Sequence, residues 1–209
     1  MTVSYTLISK FYGLLDIIFF KNNPYNPRNM ILNKIPNDNK KLLEIAVGTA
    51  MNSILIAKNR PKINIVGIDL SEEMLKIAEN NIKKNGIQNI ELVKMDGGNM
   101  VFEDETFDYI IISLLLHELK ECVANKLLKE CIKILKQNGK IFILEWEKPK
   151  IFIQKILFFI IGLLEPKEYK IFMKKDLNRY FEKNDFKINE IEYGDYSKVI
   201  ELIKSANSA

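Results

Sequence analysis

Apolar residues recur in short continuous runs through the middle of the chain: "KLLEIAV" (41–47), "INIVGID" (63–69), "IELVKMD" (90–96), "FDYIIISLLL" (107–116) and "GKIFILEWE" (139–147). Runs of this length, with Ile, Leu and Val on both faces, predict strands of a parallel sheet covered on both sides. Helical segments lie between them, at roughly 50–59, 72–85 and 121–136. Ser71 is a good N-cap for the second, which stops at Asn85-Gly86, and the third stops at Asn138-Gly139. Repeated strand–helix–strand units of this kind build a doubly wound α/β fold.

The end of the chain reads differently. An apolar helix (about 151–164) and a polar helix (about 174–184) precede "FKINEIEYG" and "YSKVIELIKS", two strand-like runs joined by a short turn. A hairpin there makes the last strands antiparallel. The expected architecture is therefore a Rossmann-like doubly wound sheet of about seven strands, mostly parallel, with an antiparallel C-terminal hairpin strand. No Pro, Gly or Ser-rich linker, repeat or low-complexity tract interrupts it. The expectation is one domain over 1–209, with an N-terminal helical cap over 1–38 and a helical lid-like insertion over 150–185.

Composition narrows the class. The 209 residues are 47% hydrophobic and 28% charged, with a net charge of +4, ordinary values for a globular chain. The lysines are spread rather than clustered, which argues against nucleic acid as a partner and leaves a mild attraction to anionic surfaces. Cys122 and Cys131 have neither redox nor zinc spacing, and the chain has one histidine, so a multi-histidine metal site is excluded and no metal is expected. The N-terminal "MTVSYTLISKFYGLLDIIFF" lacks a signal peptide's basic region and cleavage site. "IFIQKILFFIIGLLEP" (151–166) carries Gln154 and Lys155 and falls short of the roughly 20 apolar residues of a membrane span. A cytoplasmic protein without a transmembrane span is expected.

Candidate chemistry sits where the strands end, since open α/β sheets bind ligands there. The first strand supplies Glu44 and the turn "AVGTA", the second ends in Asp69, and the third in Asp96 followed by Gly97-Gly98. An acid at the end of the second strand is placed to accept hydrogen bonds from both hydroxyls of a ribose. Asp96 can accept one from an adenine amino group, and Gly97 lets the backbone approach that ring. Each acid alone could simply cap a strand; together they describe an adenosine pocket. A dinucleotide would need glycines beside its pyrophosphate, yet "EIAVGTAMN" lacks GxGxxG, and Glu44 opposes a diphosphate. A cationic ligand such as S-adenosylmethionine (SAM) suits that acid better.

These residues resemble the class I SAM-dependent methyltransferases. The family's first motif, acid-x-Gly-x-Gly-x-Gly, is here Glu44-Ile45-Ala46-Val47-Gly48-Thr49-Ala50, with alanine at positions 46 and 50. "VGIDLSEEMLKIAENNIKKNG" (66–86), "MDGGNMVFEDETFDYIIISLLLHEL" (95–119) and "LLKECIKILKQNGKIFILEWE" (127–147) are similar too, so the resemblance covers roughly residues 40–150. It implies that Glu44, Ala46 and Gly48 line the methionine end of SAM. Asp69 and Leu70 would hold the ribose, Asp96 and Gly97 the adenine, and Ser113 would sit beside the methionine portion. "LLLHELKE" (114–121) resembles the subgroup with the ubiquinone/menaquinone-pathway C-methyltransferases. It makes His117 the candidate catalytic residue, its ordinary pKa being near neutrality, against a reading in which it only packs or caps the next helix.

The acceptor is read from the flanks. "YTLISKFYGLLDIIFF" and "IFIQKILFFIIGLLEP" are apolar and aromatic. In one reading they form a lid over a small lipophilic acceptor, or touch a membrane surface, with Tyr5, Phe11, Tyr12, Phe158 and Phe159 as pocket candidates. In the other they are amphipathic helices packing on the sheet. "NNPYNP" (22–27) shares letters with the Asn-Pro-Pro-Tyr motif of amino-methylating DNA enzymes, but precedes the first strand and reads as a turn ending the N-terminal helix. The leading expectation is methyl transfer from SAM, with S-adenosylhomocysteine as product, to a small apolar acceptor. The alternatives are a SAM-binding scaffold without catalysis and, behind it, a nucleotide-binding oxidoreductase.

Overall fold

The computed structural model describes residues 26–149 and 167–205. The apolar helix expected at 151–164 and the first 25 residues of the expected cap lie outside them. Among the described residues, seven strands form one sheet, in the order β3 (Ile90–Lys94), β2 (Asn64–Asp69), β1 (Lys41–Ile45), β4 (Phe107–Ser113), β5 (Leu135–Trp146), β7 (Ser197–Lys204) and β6 (Phe186–Tyr193), the mostly parallel arrangement expected from the sequence. The chain falls into two compact units, Met1–Gly97 and Gly98–Ala209.

Among the described residues, the first unit opens with α1 (Pro27–Lys34), which follows the stretch 22–27 expected to turn, of which only Asn26 and Pro27 are described. Asn26 caps it, its side chain accepting the Arg28 N–H at 3.0 Å, and Pro27 occupies the first turn. Proline is suited to that position because its missing N–H would have no helical partner there. The Asn-Pro pair therefore starts a helix. β1 (Lys41–Ile45), α2 (Met51–Asn59), β2 (Asn64–Asp69), α3 (Glu72–Lys84) and β3 (Ile90–Lys94) follow. Ser71 caps α3 by accepting the Met74 N–H at 3.2 Å, Glu72 and Glu73 occupy its first turn, and Lys83 and Lys84 its last, each sign of charge matching the helix dipole.

β1 and β3 both pair parallel with β2, Glu44 opposite Gly67 and Asp69 opposite Lys94. All three strands thus end at one sheet edge. Val47, Ala50, Ile54 and Ala78 form a buried cluster, with Leu75, Ile82, Ile87, Ile90 and Leu92 packed against it. Gly67 makes this packing feasible. A Cβ there would come within 2.8 Å of the Val47 side chain and 3.0 Å of Leu92, so the loop after β1 can lie flat on β2 only over a glycine.

The second unit contains β4 (Phe107–Ser113), α4 (Glu121–Ile134), β5 (Leu135–Trp146), α5 (Lys167–Phe172), α6 (Leu177–Glu182), β6 (Phe186–Tyr193) and β7 (Ser197–Lys204). β4 and β5 are parallel, and β7 pairs antiparallel with both β5 and β6. The terminal hairpin thus inserts its second strand next to β5. Where α4 had been expected to run to Asn138-Gly139, it ends at Ile134, and Leu135 already pairs with Phe107. The next pair is Tyr109 with Lys140, so residues 136–139 bulge from the ladder, which is where the Asn-Gly turn signal acts. The polar helix expected at 174–184 is shortened to α6, preceded by the separate α5. Cys131 is buried on α4 and Cys122 exposed, both as free thiols. Burial raises the Cys131 thiol far above its ordinary value, leaving it inert.

Replacing Gly67 by alanine should destabilise the protein by about 1–3 kcal/mol through overpacking, measured as a lower midpoint in urea unfolding with an unchanged slope.

Candidate functional site

The loop after β1 is built around a buried carboxylate. Glu44 is 2% exposed. Its Oε1 accepts the Asn52 amide N–H at 2.7 Å, and its Oε2 accepts the Ser53 backbone N–H at 3.1 Å together with the Ser53 hydroxyl. Arg28 Nε donates to Asn52 Oδ1 at 2.8 Å, so α1 braces the same network. Asn52 and Ser53 lie in the first turn of α2, whose free N–H groups and dipole favour an anion. The Glu44 carboxyl occupies that place. Burial raises its carboxyl above the ordinary value of 4.5, opposed by the hydrogen bonds from Ser53 and Asn52 and the charge of Arg28.

The backbone between β1 and α2 turns by alternating left-handed residues: Ala46 (φ 54°), Gly48 (φ 54°) and Ala50 (φ 62°). At the two alanines each such conformation costs about 1–2 kcal/mol. These are the two positions where alanine stands for the glycine of the motif. The loop keeps the glycine conformation with alanine in place. Its N–H groups are used internally: Val47 N–H bonds to the Ile68 carbonyl and Ala50 N–H to that of Val47, both at 2.9 Å, and Gly48 N–H to Asp69 Oδ2 at 2.9 Å. A diphosphate would find these donors spent and a carboxylate already on the helix end.

Asp69 closes the circuit. With Oδ2 on Gly48 and Oδ1 accepting the Ser71 N–H at 2.9 Å, its carboxylate is locked in orientation. Each oxygen has a second lone pair for a hydroxyl donor, which fits a vicinal diol. Leu70 follows, 67% exposed. The Met95 N–H bonds to the Asp69 carbonyl at 3.1 Å, which sets Asp96, exposed, and Gly97, half-buried, beside the Asp69 turn. The structure therefore gathers Glu44, Ala46, Gly48, Asp69, Leu70, Asp96 and Gly97 on one strand-end edge. Glu44 faces inward, shaping the loop rather than lining its outer surface.

Ser113 and His117 belong to the second unit. Ser113, half-buried, ends β4 opposite Leu144. His117 is 1% exposed and its Nδ1 lies 2.5 Å from Oε2 of Glu145, which is fully buried on β5. Glu145 Oε1 accepts the Leu116 N–H at 2.9 Å, and the His117 N–H lies 3.4 Å from the same oxygen. The Tyr169 ring stands edge-on to the imidazole at 5.8 Å. Beside this turn, a cavity of about 190 Å³ is floored by Leu116, Ala124, Phe172 and Tyr180, all buried. Lys175 lies over the Tyr180 ring at 4.6 Å and pairs with Glu121 at 2.6 Å. The Tyr180 phenol is raised to about 12, chiefly by burial and then by the charges of Glu121 and Glu145. Tyr5, Phe11, Tyr12, Phe158 and Phe159 lie outside the described residues, and among the described residues no cluster of acids, Cys and His is placed to hold a metal ion.

Arg28, Asn52, Ser53 and Glu145 went unnoticed in the sequence. A legible signal existed for Glu145, a lone acid inside an apolar run as Glu44 is, and for Asn52 and Ser53, which open a helix.

The sequence matches the ubiE/COQ5 methyltransferase family over residues 4–205. The chain belongs to that family. Among curated relatives, a demethylmenaquinone methyltransferase of a Geobacillus species is 30% identical over 137 residues, and that of Bacillus subtilis 32% over 136 residues. The alignments take in 65% and 64% of this chain and 58% of each relative, so the chain spans somewhat over half the length of the relatives it matches. A crystal structure of a SAM-dependent methyltransferase from Aquifex aeolicus superposes with a TM-score of 0.68 at 20% identity, covering 84% of this chain and 88% of that one. The mitomycin 7-O-methyltransferase MmcR gives 0.75 at 11% identity, covering 97% of this chain and 57% of that one. At these identities the structures share the fold: the class I methyltransferase sheet.

Two outcomes follow from the Glu44 network. With its folded pKa raised, the native state holds a proton that the unfolded chain loses between the ordinary value and the raised one. More protons bound in the native state means stability falls as pH climbs through that window. Glu44→Gln, which has no such titration, should flatten the slope in urea unfolding followed across pH. Ala50→Gly should relieve the left-handed strain, offset by about 0.4–1 kcal/mol of added unfolded-chain entropy, for a net gain of up to about 1.6 kcal/mol in the same assay.

Proposed function

We propose that the protein is a SAM-dependent methyltransferase acting on a small apolar ring acceptor of the quinol type. The observation that carries the cofactor is the Asp69 carboxylate, oriented by the Gly48 and Ser71 N–H groups and retaining acceptor capacity for a ribose diol. When bound, SAM supplies an electrophilic methyl group on a sulfonium. The residues of this chain contribute binding and alignment. Asp69 takes the ribose hydroxyls, Asp96 and Gly97 meet the adenine, and Leu70 covers the sugar with apolar surface. Ala46 and Gly48 line the methionine end, with the buried Glu44 carboxyl behind them. Holding donor and acceptor in line supplies much of the acceleration in such a transfer.

An apolar acceptor is supported by the cavity between α4 and the α5–α6 segment. Its volume exceeds that of a roughly 150 Å³ apolar cavity able to hold benzene, so it suits an aromatic ring. The name of the relatives, demethylmenaquinone methyltransferase, agrees with a naphthoquinol. The N-terminal segment and the 150–185 region are read as the cap and lid of one methyltransferase domain, with Tyr5, Phe11, Tyr12, Phe158 and Phe159 as further lining. Our reading is a cytoplasmic enzyme that meets a lipophilic acceptor at the membrane surface; among the described residues no helix is long and apolar enough to cross a membrane. The non-catalytic scaffold reading loses its main support, because the alanine loop keeps the left-handed turns of the glycine pattern.

Calorimetric titration should show binding of SAM and S-adenosylhomocysteine and none of NAD. Asp69→Ala should weaken SAM by about 10- to 100-fold, the loss of charge-assisted hydrogen bonds. Unchanged affinity, or binding of NAD instead, would overturn the cofactor assignment. With methyl-labelled SAM, label should pass to a short-tailed demethylated naphthoquinol; transfer to none of a set of quinols and phenols would remove the acceptor assignment.

A further inference from the structure

We propose that Tyr180 is a specificity residue of the acceptor cavity, its phenol O–H donating a hydrogen bond to an oxygen on the acceptor's ring. This deepens the methyl-transfer reading above and rests on its placing of the acceptor. Tyr180 is 6% exposed and lines the cavity between α4 and the α5–α6 segment. A buried tyrosine hydroxyl ordinarily has a hydrogen-bond partner. Among the described residues the Tyr180 phenol oxygen has none; the side chain meets rings and a cation instead. Phe172 stands edge-on to it at 6.5 Å, Phe181 lies at 5.2 Å, and Lys175 Nζ is 4.6 Å from the ring centroid. Asp38 Oδ1 is the one side-chain atom among the described residues that is both sealed from solvent and unpartnered. The Tyr180 oxygen is therefore not sealed. It borders the open space of the cavity.

The rest of the wall leaves this donor to set the choice. Leu116, Ala124 and Phe172 are apolar, and Lys175 is engaged by Glu121 at 2.6 Å as well as by the Tyr180 ring. The phenol, raised to about 12 chiefly by burial, carries its hydrogen at neutral pH and can donate. An open O–H is hydrated in the free protein, and a ligand that displaces that water must offer a lone pair in return or leave the donor bare. A hydrocarbon ring offers none. The oxygen of a ring ketone, quinone or quinol does, and a site built around such a bond rejects the analogue that lacks it. Phe172 on the edge of the phenol and Lys175 on its face fix the ring's plane, so the bond orients the acceptor as well as selecting it. The oxygen-bearing edge of the acceptor turns toward α6.

Two probes separate the oxygen from the ring: 1-tetralone, a ketone that can only accept a hydrogen bond, and tetralin, the same skeleton without the oxygen. Each is titrated into the full chain by calorimetry. Tyr180→Phe should lower the ratio of 1-tetralone to tetralin affinity by about 3- to 10-fold, the worth of one neutral hydrogen bond. A residue with only a packing role would weaken both probes alike and leave the ratio unchanged, which would overturn the proposal. The carbonyl stretch of bound ¹³C-labelled 1-tetralone, read by difference infrared spectroscopy, should lie at lower wavenumber in the wild-type protein than in cyclohexane. A stretch at the cyclohexane position would refute the bond without need of a variant, and so would binding of neither probe. These measurements require neither SAM nor turnover. A chain that binds no SAM would fail the methyl-transfer reading while the Tyr180 bond is still decided by the ketone, so the two failures are distinct.

Discussion

The strand-end edge of the first unit depends on one contact, the Glu44 carboxyl seated on the first turn of α2. The orphan donors at a helix start require an acceptor, and in dinucleotide folds the ligand's diphosphate commonly supplies it. Here the chain supplies its own. That choice leaves the helix-end donors already taken, while Asp69 keeps acceptor capacity further along the edge. Arg28 extends the network into α1, so a helix outside the strand–helix repeat becomes part of the loop's support.

The same contact explains how the loop tolerates alanine. Left-handed Ala46 and Ala50 are strained, and strain of this kind persists where surrounding bonds over-determine the backbone. Glu44 holds the helix side of the loop, Asp69 holds Gly48, and the Val47 N–H is tied to β2. Gly67 is where the glycine is indispensable, because there the limit is space rather than dihedral angle. Glycine lost from the loop and glycine kept under it therefore answer to different physics.

The second unit repeats the device with different chemistry. Glu145, another acid in an apolar strand, turns its carboxylate onto the backbone of the β4–α4 turn and onto the imidazole of His117. Burial makes such a carboxylate costly unless every lone pair is used, and the cost is offset by donors that also define the turn. The outcome is a histidine held by the interior next to an apolar cavity, rather than one projecting freely into it.

The sequence by itself determined the strand–helix alternation, the acids at the strand ends and the antiparallel close. Each rests on local pattern: apolar runs, caps such as Ser71, and a short turn between two strands. It also weighed against a diphosphate loop after β1, since glycine spacing and the acid at Glu44 are visible in the letters. Direction was another matter. Whether Glu44 faces a ligand or a helix, whether His117 is exposed or caged, and which acid cages it depend on residues up to 28 positions apart. Asn52, Ser53 and Glu145 acquire their roles only once packing removes water and leaves each buried lone pair in need of a donor. Tertiary structure decided these because the desolvation cost that selects the partners does not exist in the unfolded chain.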